Sequence, residues 1–442
     1  MNTIYVSGEG TLTKEQLSRY SSSVARFLTC KNIHNAAILC GKSPLVISAI
    51  AGCLKAGVCY IPVDKTLPAE RMEMILKNAD IVLSDEMLKD IISTNAEYMA
   101  ENISCTIPAY TIYTSGTTGK PKGITVTRKN VINFLDWFMK IPAIAQTRPK
   151  NVLNQALFSF DLSVADIYYS LKTGARLTVL EKELLSDFPL LFQRMRESDA
   201  ELAVFTPAFA EMCLCDKSFD NSLLPQLKVI FFCGEVLKGT TAQKLFVRFP
   251  NTRIINAYGP TETTCAVTAI EITRDVTENP LPVGDLGHTA GEICLSEDKE
   301  IIITGDSVAA YCEGRGGFGE YMGKPCFYTG DIGHIENNLL YFDGRRDRQV
   351  KIMGCRTELS DVENNLLKIE GVKQAAVTDI KIGNNTALLA YVVAENDVSP
   401  QFIKAEMARL VPPYMIPRKI QLCDKIPVTS NGKTDRSAIN DN

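Results

Sequence analysis

The stretch from Tyr113 to Gly123 reads YTSGTTGKPKG, with glycines at 116, 119 and 123, hydroxyls at 114, 115, 117 and 118, and lysines at 120 and 122. Glycine removes side-chain bulk and permits left-handed backbone, so amide N–H groups and hydroxyls in such a loop can close around phosphate oxygens. The familiar phosphate-loop template is G-x-x-x-x-G-K-[ST], and it fails here twice. Thr114 stands where its first glycine belongs, and Pro121 stands where its metal-binding hydroxyl belongs. On these residues alone the loop is either a phosphate loop of another kind or a plain Gly/Thr turn.

Three later stretches carry chemistry of their own. INAYGPTET (255–263) sets an aromatic, a Gly-Pro turn, a hydroxyl and a carboxylate behind a strand-like run. Tyr258 there could stack on a purine, while Thr261 and Glu262 suit phosphate and Mg²⁺; the plain alternative is a capped turn. FYTGDIGHI (327–335) places Asp331 after a Thr-Gly turn, where a carboxylate can accept both hydroxyls of a ribose or simply cap the turn. GRRDRQVKIMGCRTELSDVE (344–363) is dense in charge, as either a functional segment or a solvated face. NGKTDR (431–436) puts Lys433 in a glycine turn.

Composition narrows the possible partners. The 442-residue chain is 45% hydrophobic and 22% charged, as in ordinary globular proteins, and its length predicts two or three domains. A net charge of −4 gives no basic footprint for nucleic acid or an anionic membrane. The 14 cysteines are scattered without a CxxC pair, which predicts free thiols and a cytoplasmic setting. Cys213 and Cys215, close together in AFAEMCLC, read as core packing. MNTIYVSGEG lacks a basic-then-apolar leader pattern. The most apolar run, PLVISAIAGCLKAGVCYIPV, is broken by Gly52, Lys55 and Gly57, so a buried helix and strand are expected and no stable membrane insertion.

The positioning elements follow from periodicity. Short apolar runs such as AAILC (36–40), ARLTVLE (175–181), ELAVFT (201–206), LKVIFFCGE (227–235) and RIINAYG (253–259) alternate with helical patterns. Alternation of this kind predicts an α/β fold with doubly wound parallel sheets, whose ligands lie beyond the carboxyl ends of strands. YTSGTTG, FCGE and NAYGPTE all follow a predicted strand. Beyond about residue 285, EICLS, EIIITG and LLYFDG predict a small antiparallel, β-barrel-like part. From Gln349 on, a compact α+β module is expected, with helices over 361–369 and 400–410. The boundary is placed near Asp347, giving a core over 1–346 and a small C-terminal domain over 347–442.

Taken together and in order, YTSGTTGKPKG, YGPTE, YTGD, GRRDRQVKIMGCRTEL and NGKTDR resemble the adenylate-forming superfamily. LTKEQLSRYSSSVARFL and LKAGVCYIPVDKTLPAERMEMIL resemble the first core motifs of its amino-acid adenylation domains. NQALFSFDLSVADIY, PAFAEMCL, FFCGEVL and INAYGPTETTCAVT look most like the D-alanine–D-alanyl carrier protein ligases, which supply D-alanine for teichoic acid.

That resemblance implies ATP and Mg²⁺ as cofactors and a small amino acid as substrate, with D-alanine first. It also implies a phosphopantetheinylated carrier protein as acceptor. Thr114, Ser115, Gly116, Thr117, Thr118, Gly119 and Lys122 would hold the outer phosphates. Asn256, Ala257, Tyr258, Gly259, Pro260 and Thr261 would bind adenine and the α-phosphate, with Glu262 on the metal. Asp331 and Arg345 would take the ribose. Asp161 would pair the substrate ammonium, in keeping with the need of a buried charge for a counter-charge. Cys233 and Cys265 would line the side-chain pocket, Lys433 would be the catalytic lysine, and Asp347 the hinge of a mobile C-terminal domain. The chain departs from that family at Cys265, where the ligases carry valine, and in a shortened stretch between Leu281 and Tyr328. A peptide-synthetase-like domain for another small amino acid is the alternative.

Overall fold

Strands Leu202–Phe205 and Val229–Phe232 are buried at every position, and their side chains divide between two cores. Leu202, Val204, Val229 and Phe231 face one apolar cluster, while Ala203, Phe205, Ile230 and Phe232 face another. A strand covered on both faces must be apolar throughout, which is why these runs show no polar alternation. The computed structural model describes residues 3–99, 102–116, 120–275, 279–312, 317–352, 354–382, 385–395 and 398–427.

Contacts group the chain into two units. The first comprises Met1–Lys65, Leu76–Tyr113 and Gly123–Asp347, and it holds three sheets. The largest has eight strands, in the order Thr268–Ile272, Arg253–Tyr258, Val229–Phe232, Leu202–Phe205, Asn151–Asn154, Arg176–Val179, Thr3–Ser7, Gly10–Thr13. Its inner strands are parallel and its two edge strands antiparallel. A six-stranded sheet carries Asn35–Cys40, Cys59–Asp64 and Ile81–Leu83 in parallel, extended through Pro108–Thr114, Lys122–Thr127 and Tyr311–Cys312. The larger core cluster joins both sheets through helices Pro44–Ala56, Arg128–Phe138 and Ser163–Thr173.

The expected barrel-like part is an open antiparallel sheet of Pro282–Asp285, Leu339–Arg345, Lys324–Glu336, Glu300–Thr304 and Glu292–Leu295, with Phe318–Tyr321 paired to Lys324–Glu336. Along Lys324–Glu336, Thr329 and Asp331 both point inward while Tyr328 is exposed, as strand alternation requires.

The second unit comprises Thr66–Ile75, Thr114–Lys122 and the chain from Arg348 onward. Helix Leu359–Leu366 packs on the hairpin Val372–Ile382/Asn385–Ala394, with Lys419–Leu422 added in parallel. Helix Pro400–Leu410 starts at Ser399, whose hydroxyl caps Phe402 N–H. The segment 66–75 contributes Arg71, which forks onto both Asp361 oxygens at 2.6 and 2.7 Å; Arg71 is 6% and Asp361 0% exposed. This pairing is why a stretch so early in the chain belongs to the second unit.

No helix among the described residues is long and apolar enough to cross a membrane. The apolar run singled out in the sequence forms the 13-residue helix Pro44–Ala56, closed by Gly57, and the strand Cys59–Asp64.

Candidate active site

Asp331 organises the clearest polar site of the first unit. Its Oδ2 accepts the Tyr258 hydroxyl at 2.6 Å, and its Oδ1 is paired with the Arg345 guanidinium. Arg345 also donates to the Thr329 carbonyl (3.1 Å) and to both Asp347 oxygens (2.6 and 2.8 Å). Strand register supplies the geometry, because Asp331 and Arg345 are direct cross-strand partners. Gly330 has φ +73°, and a Cβ there would stand 3.0 Å from Asp347 Oδ2 and 3.2 Å from Arg345 Nη2. Only glycine fits both demands. Burial, and then the Asp331 charge, push the Tyr258 phenol well above its usual range, so it stays a neutral donor.

Strand Arg253–Tyr258 delivers Asn256, Ala257 and Tyr258 together. The Asn256 amide donates to the Pro282 carbonyl at 2.8 Å. Gly259 and Pro260 then turn the chain into the short 3₁₀ turn Thr261–Thr263. Glu262 on that turn is 0% exposed. A single buried carboxylate suits Mg²⁺, which keeps most of its shell for water and phosphate oxygens. No cluster of three or more metal-ligating side chains occurs among the described residues.

A second group surrounds Asp161, which is half-buried immediately before helix Ser163–Thr173. Cys233 follows strand Val229–Phe232 and is 3% exposed; Cys265 is 2% exposed, and the Cys233 thiol points at the Cys265 carbonyl (3.8 Å). Tyr110 is fully buried, and its hydroxyl has no hydrogen-bond partner among the described residues. Burial raises both the Tyr110 phenol and the Cys265 thiol, and Asp161 adds to each shift, which places all three groups in one electrostatic neighbourhood. The walls are therefore neutral where a carboxylate is the charged element. Thr264 and Cys265 have φ of +64° and +71°, two consecutive non-glycine residues in left-handed backbone. Strain of that kind persists only where surrounding structure imposes it, and it collects at functional sites.

The glycine-rich loop belongs to the second unit. Thr114 ends strand Pro108–Thr114, and its hydroxyl is buried with no partner among the described residues. The Ser115 hydroxyl donates to the Arg356 carbonyl (2.9 Å) and accepts from Glu358 N–H (3.1 Å). A Cβ on Gly116 would lie 2.2 Å from the Lys120 carbonyl oxygen, closer than any side chain tolerates, so position 116 requires glycine. Lys122 begins strand Lys122–Thr127. Thr117, Thr118, Gly119 and Lys433 lie outside the described residues.

Two charged groups escaped the motif reading: Lys42 and Asp166, both buried in the first unit. The available signal was a lone lysine between an apolar strand and an apolar helix in AAILCGKSPLVI.

Comparison with known proteins supplies the family. Residues 2–301 match the AMP-binding enzyme family, and residues 361–433 match the AMP-binding enzyme C-terminal domain. The chain is 36% identical to the D-alanine--D-alanyl carrier protein ligase of Bacillus cereus (strain G9842), across 99% of this chain and 95% of that protein. It has the same identity and coverage with the ligase of Bacillus anthracis (strain CDC 684 / NRRL 3495). Among solved structures, the Vibrio cholerae adenylation domain AlmE in complex with glycyl-adenosine-5'-phosphate superimposes with a TM-score of 0.85 at 21% identity, covering 99% and 94% of the two chains. A holo NRPS protein containing adenylation and PCP domains superimposes with a TM-score of 0.82 at 22% identity, covering 99% and 81%. By its near-complete match to these ligases and to both family models, the chain belongs to the AMP-binding enzyme family.

Proposed function

We propose that the protein activates D-alanine with ATP, forming an aminoacyl-adenylate and pyrophosphate, and then loads the aminoacyl group onto the phosphopantetheine thiol of a carrier protein with release of AMP, as in D-alanylation of teichoic acids. The observation that carries this reading is the 36% identity to the Bacillus ligases over 99% of the chain. The pocket around Asp161 agrees in its chemistry. The Asp161 carboxylate among neutral thiols and an aromatic suits a substrate that brings one ammonium and a very small side chain.

In this reading a carboxylate oxygen of the amino acid attacks the α-phosphorus, and the protein contributes positioning and charge neutralisation. Asp331 holds the ribose hydroxyls, with Arg345 and Tyr258 fixing its orientation. Asn256 through Thr261 receive adenine and the α-phosphate. Thr114 through Lys122 take the outer phosphates. Glu262 would hold Mg²⁺, which would supply neutralising charge to the phosphate oxygens. Lys433 bridges carboxylate and phosphate as negative charge develops between them. The domain over 347–442 turns about Asp347, exchanging Lys433 for the Gly354–Cys355–Arg356 segment, where strand Cys355–Glu358 begins, so that the thiol can enter. Such a hinge needs only a few residues to absorb the change. The twelve cysteines whose side chains the structure describes are free thiols, in keeping with a cytoplasmic enzyme.

Cys265 supports a second reading, adenylation of another small amino acid by a peptide-synthetase-like domain. Amino-acid-dependent ATP–pyrophosphate exchange across glycine and both enantiomers of alanine and serine decides between them. D-alanine is expected to give the highest kcat/KM. Preference for an L-amino acid overturns the D-alanine assignment and leaves adenylation standing; silence with every amino acid overturns both. In the same assay Lys433→Ala should abolish exchange while carrier loading from preformed adenylate survives, and equal loss of both steps sinks its assigned role.

A further inference from the structure

Lysine is among the residues least often buried, and a buried ammonium must find acceptors. Lys42 is 5% exposed. It sits between strand Asn35–Cys40 and helix Pro44–Ala56. Its Nζ donates to the carbonyls of Gln155 (2.8 Å) and Leu180 (2.7 Å) and stands 5.9 Å from the centre of the Phe158 ring. Gln155 and Leu180 come directly after strands Asn151–Asn154 and Arg176–Val179, which are parallel neighbours. One ammonium therefore clasps two carboxyl strand ends, the level at which α/β folds hold their ligands.

The segment it grips runs from Gln155 through Phe158 to Asp161. Beyond it, in the first turn of helix Ser163–Thr173, Asp166 is 0% exposed. Asn154 donates to Asp166 Oδ2 (2.8 Å) and to the Ala156 carbonyl (3.1 Å). Asp166 Oδ1 has no hydrogen-bond partner among the described residues. Burial pulls the Lys42 ammonium down and pushes the Asp166 carboxyl up, and each charge counteracts the shift of the other, with Glu181 and Glu183 further helping Lys42. A buried lysine is a weak source of stability compared with an apolar side chain of the same volume. A lysine that spends its donors on the strand ends in front of it has a different use.

We propose that Lys42, helped by Asp166 through Asn154, is a positioning residue that fixes residues 155–161 and so aims the Asp161 carboxylate at the substrate ammonium. The inference rests on the assignment of Asp161 made above. A misplacement of that carboxylate weakens amino-acid binding and leaves ATP recognition, organised around Asp331, untouched.

The test is ATP–pyrophosphate exchange with the amino acid that the unaltered enzyme uses best, varying that amino acid and ATP separately. Lys42→Met keeps length and apolar bulk; it should raise KM for the amino acid about tenfold and leave KM for ATP within about twofold. Lys42→Arg keeps the charge and donors and should recover most of the loss. Asp166→Asn alone should also raise KM for the amino acid. Lys42→Met/Asp166→Asn should be less impaired than the product of the single effects, because both side chains act through the same short segment at 155–156. Lower thermal stability with both KM values unchanged overturns the proposal, as do equal rises in both KM values or purely multiplicative effects. If Lys42→Met does not fold, Lys42→Arg and Asp166→Asn carry the same comparison. Absence of exchange in the unaltered enzyme overturns the functional assignment, and this inference falls with it.

Discussion

The first unit contains two groups of residues, assigned to recognition in the proposed function, that are built from opposite materials. Around Asp331 every polar group is already engaged: a phenol, a guanidinium and a backbone carbonyl are held in place by strand register and by Gly330. Around Asp161 the surroundings are thiols and aromatics, and the buried Tyr110 hydroxyl makes no hydrogen bond among the described residues. The difference matches what each region would read. A ribose offers hydroxyls in fixed geometry and is recognised by preorganised hydrogen bonds, whereas a small side chain offers little but volume and is recognised by the shape of neutral walls.

The largest effect is expected where that preorganisation is removed. Asp331→Ala deletes the proposed ribose acceptor and leaves the Tyr258 hydroxyl and the Arg345 charge short of a buried partner. Losing charge-assisted bonds while stranding their donors should lower kcat/KM for ATP about 10³-fold, with KM for the amino acid nearly constant. Steady-state exchange kinetics checks this. Equal damage to both substrates would mean that the two regions are one cooperative site and the contrast drawn above is false.

How much of this was legible in the sequence depended on the range of the interaction. The apolar runs at 201–206 and 227–235 declared doubly covered strands because burial on both faces leaves no room for polar alternation. Asp331 was legible from its Thr-Gly turn, a local signal. Lys42 and Asp166 were not, since neither has a sequence neighbour that betrays a partner in another strand connection. The left-handed backbone at Thr264 and Cys265 was hidden for a related reason: glycine advertises positive φ, whereas threonine and cysteine do not. The attachment of Thr66–Ile75 to the second unit was equally hidden, being a through-space pairing of Arg71 with Asp361.

An intermediate effect is expected on the apolar side. Asp161→Asn keeps the shape of the side chain and removes its charge. A buried ammonium then meets a neutral amide, and kcat/KM for the amino acid should fall about 10²-fold while KM for ATP holds. A tenfold or larger rise in KM for ATP would show that Asp161 also organises the nucleotide, which would again erase the contrast.

The smallest effect probes the walls themselves. Cys265 contributes a neutral thiol, and burial raises its pKa well above the usual range, so its role is steric through the pH range of the assay. Cys265→Ala removes one heavy atom from the wall and should shift the ratio of kcat/KM between serine and alanine by about tenfold toward serine, the scale on which pockets discriminate by one small group. The stability cost should be modest, because the substitution leaves the φ of +71° to a residue no bulkier than before. Competition between the two amino acids in pyrophosphate exchange measures the ratio directly. An unchanged ratio would move the selectivity of this pocket away from Cys265, leaving Cys233 and the buried Tyr110 as the groups that set its volume.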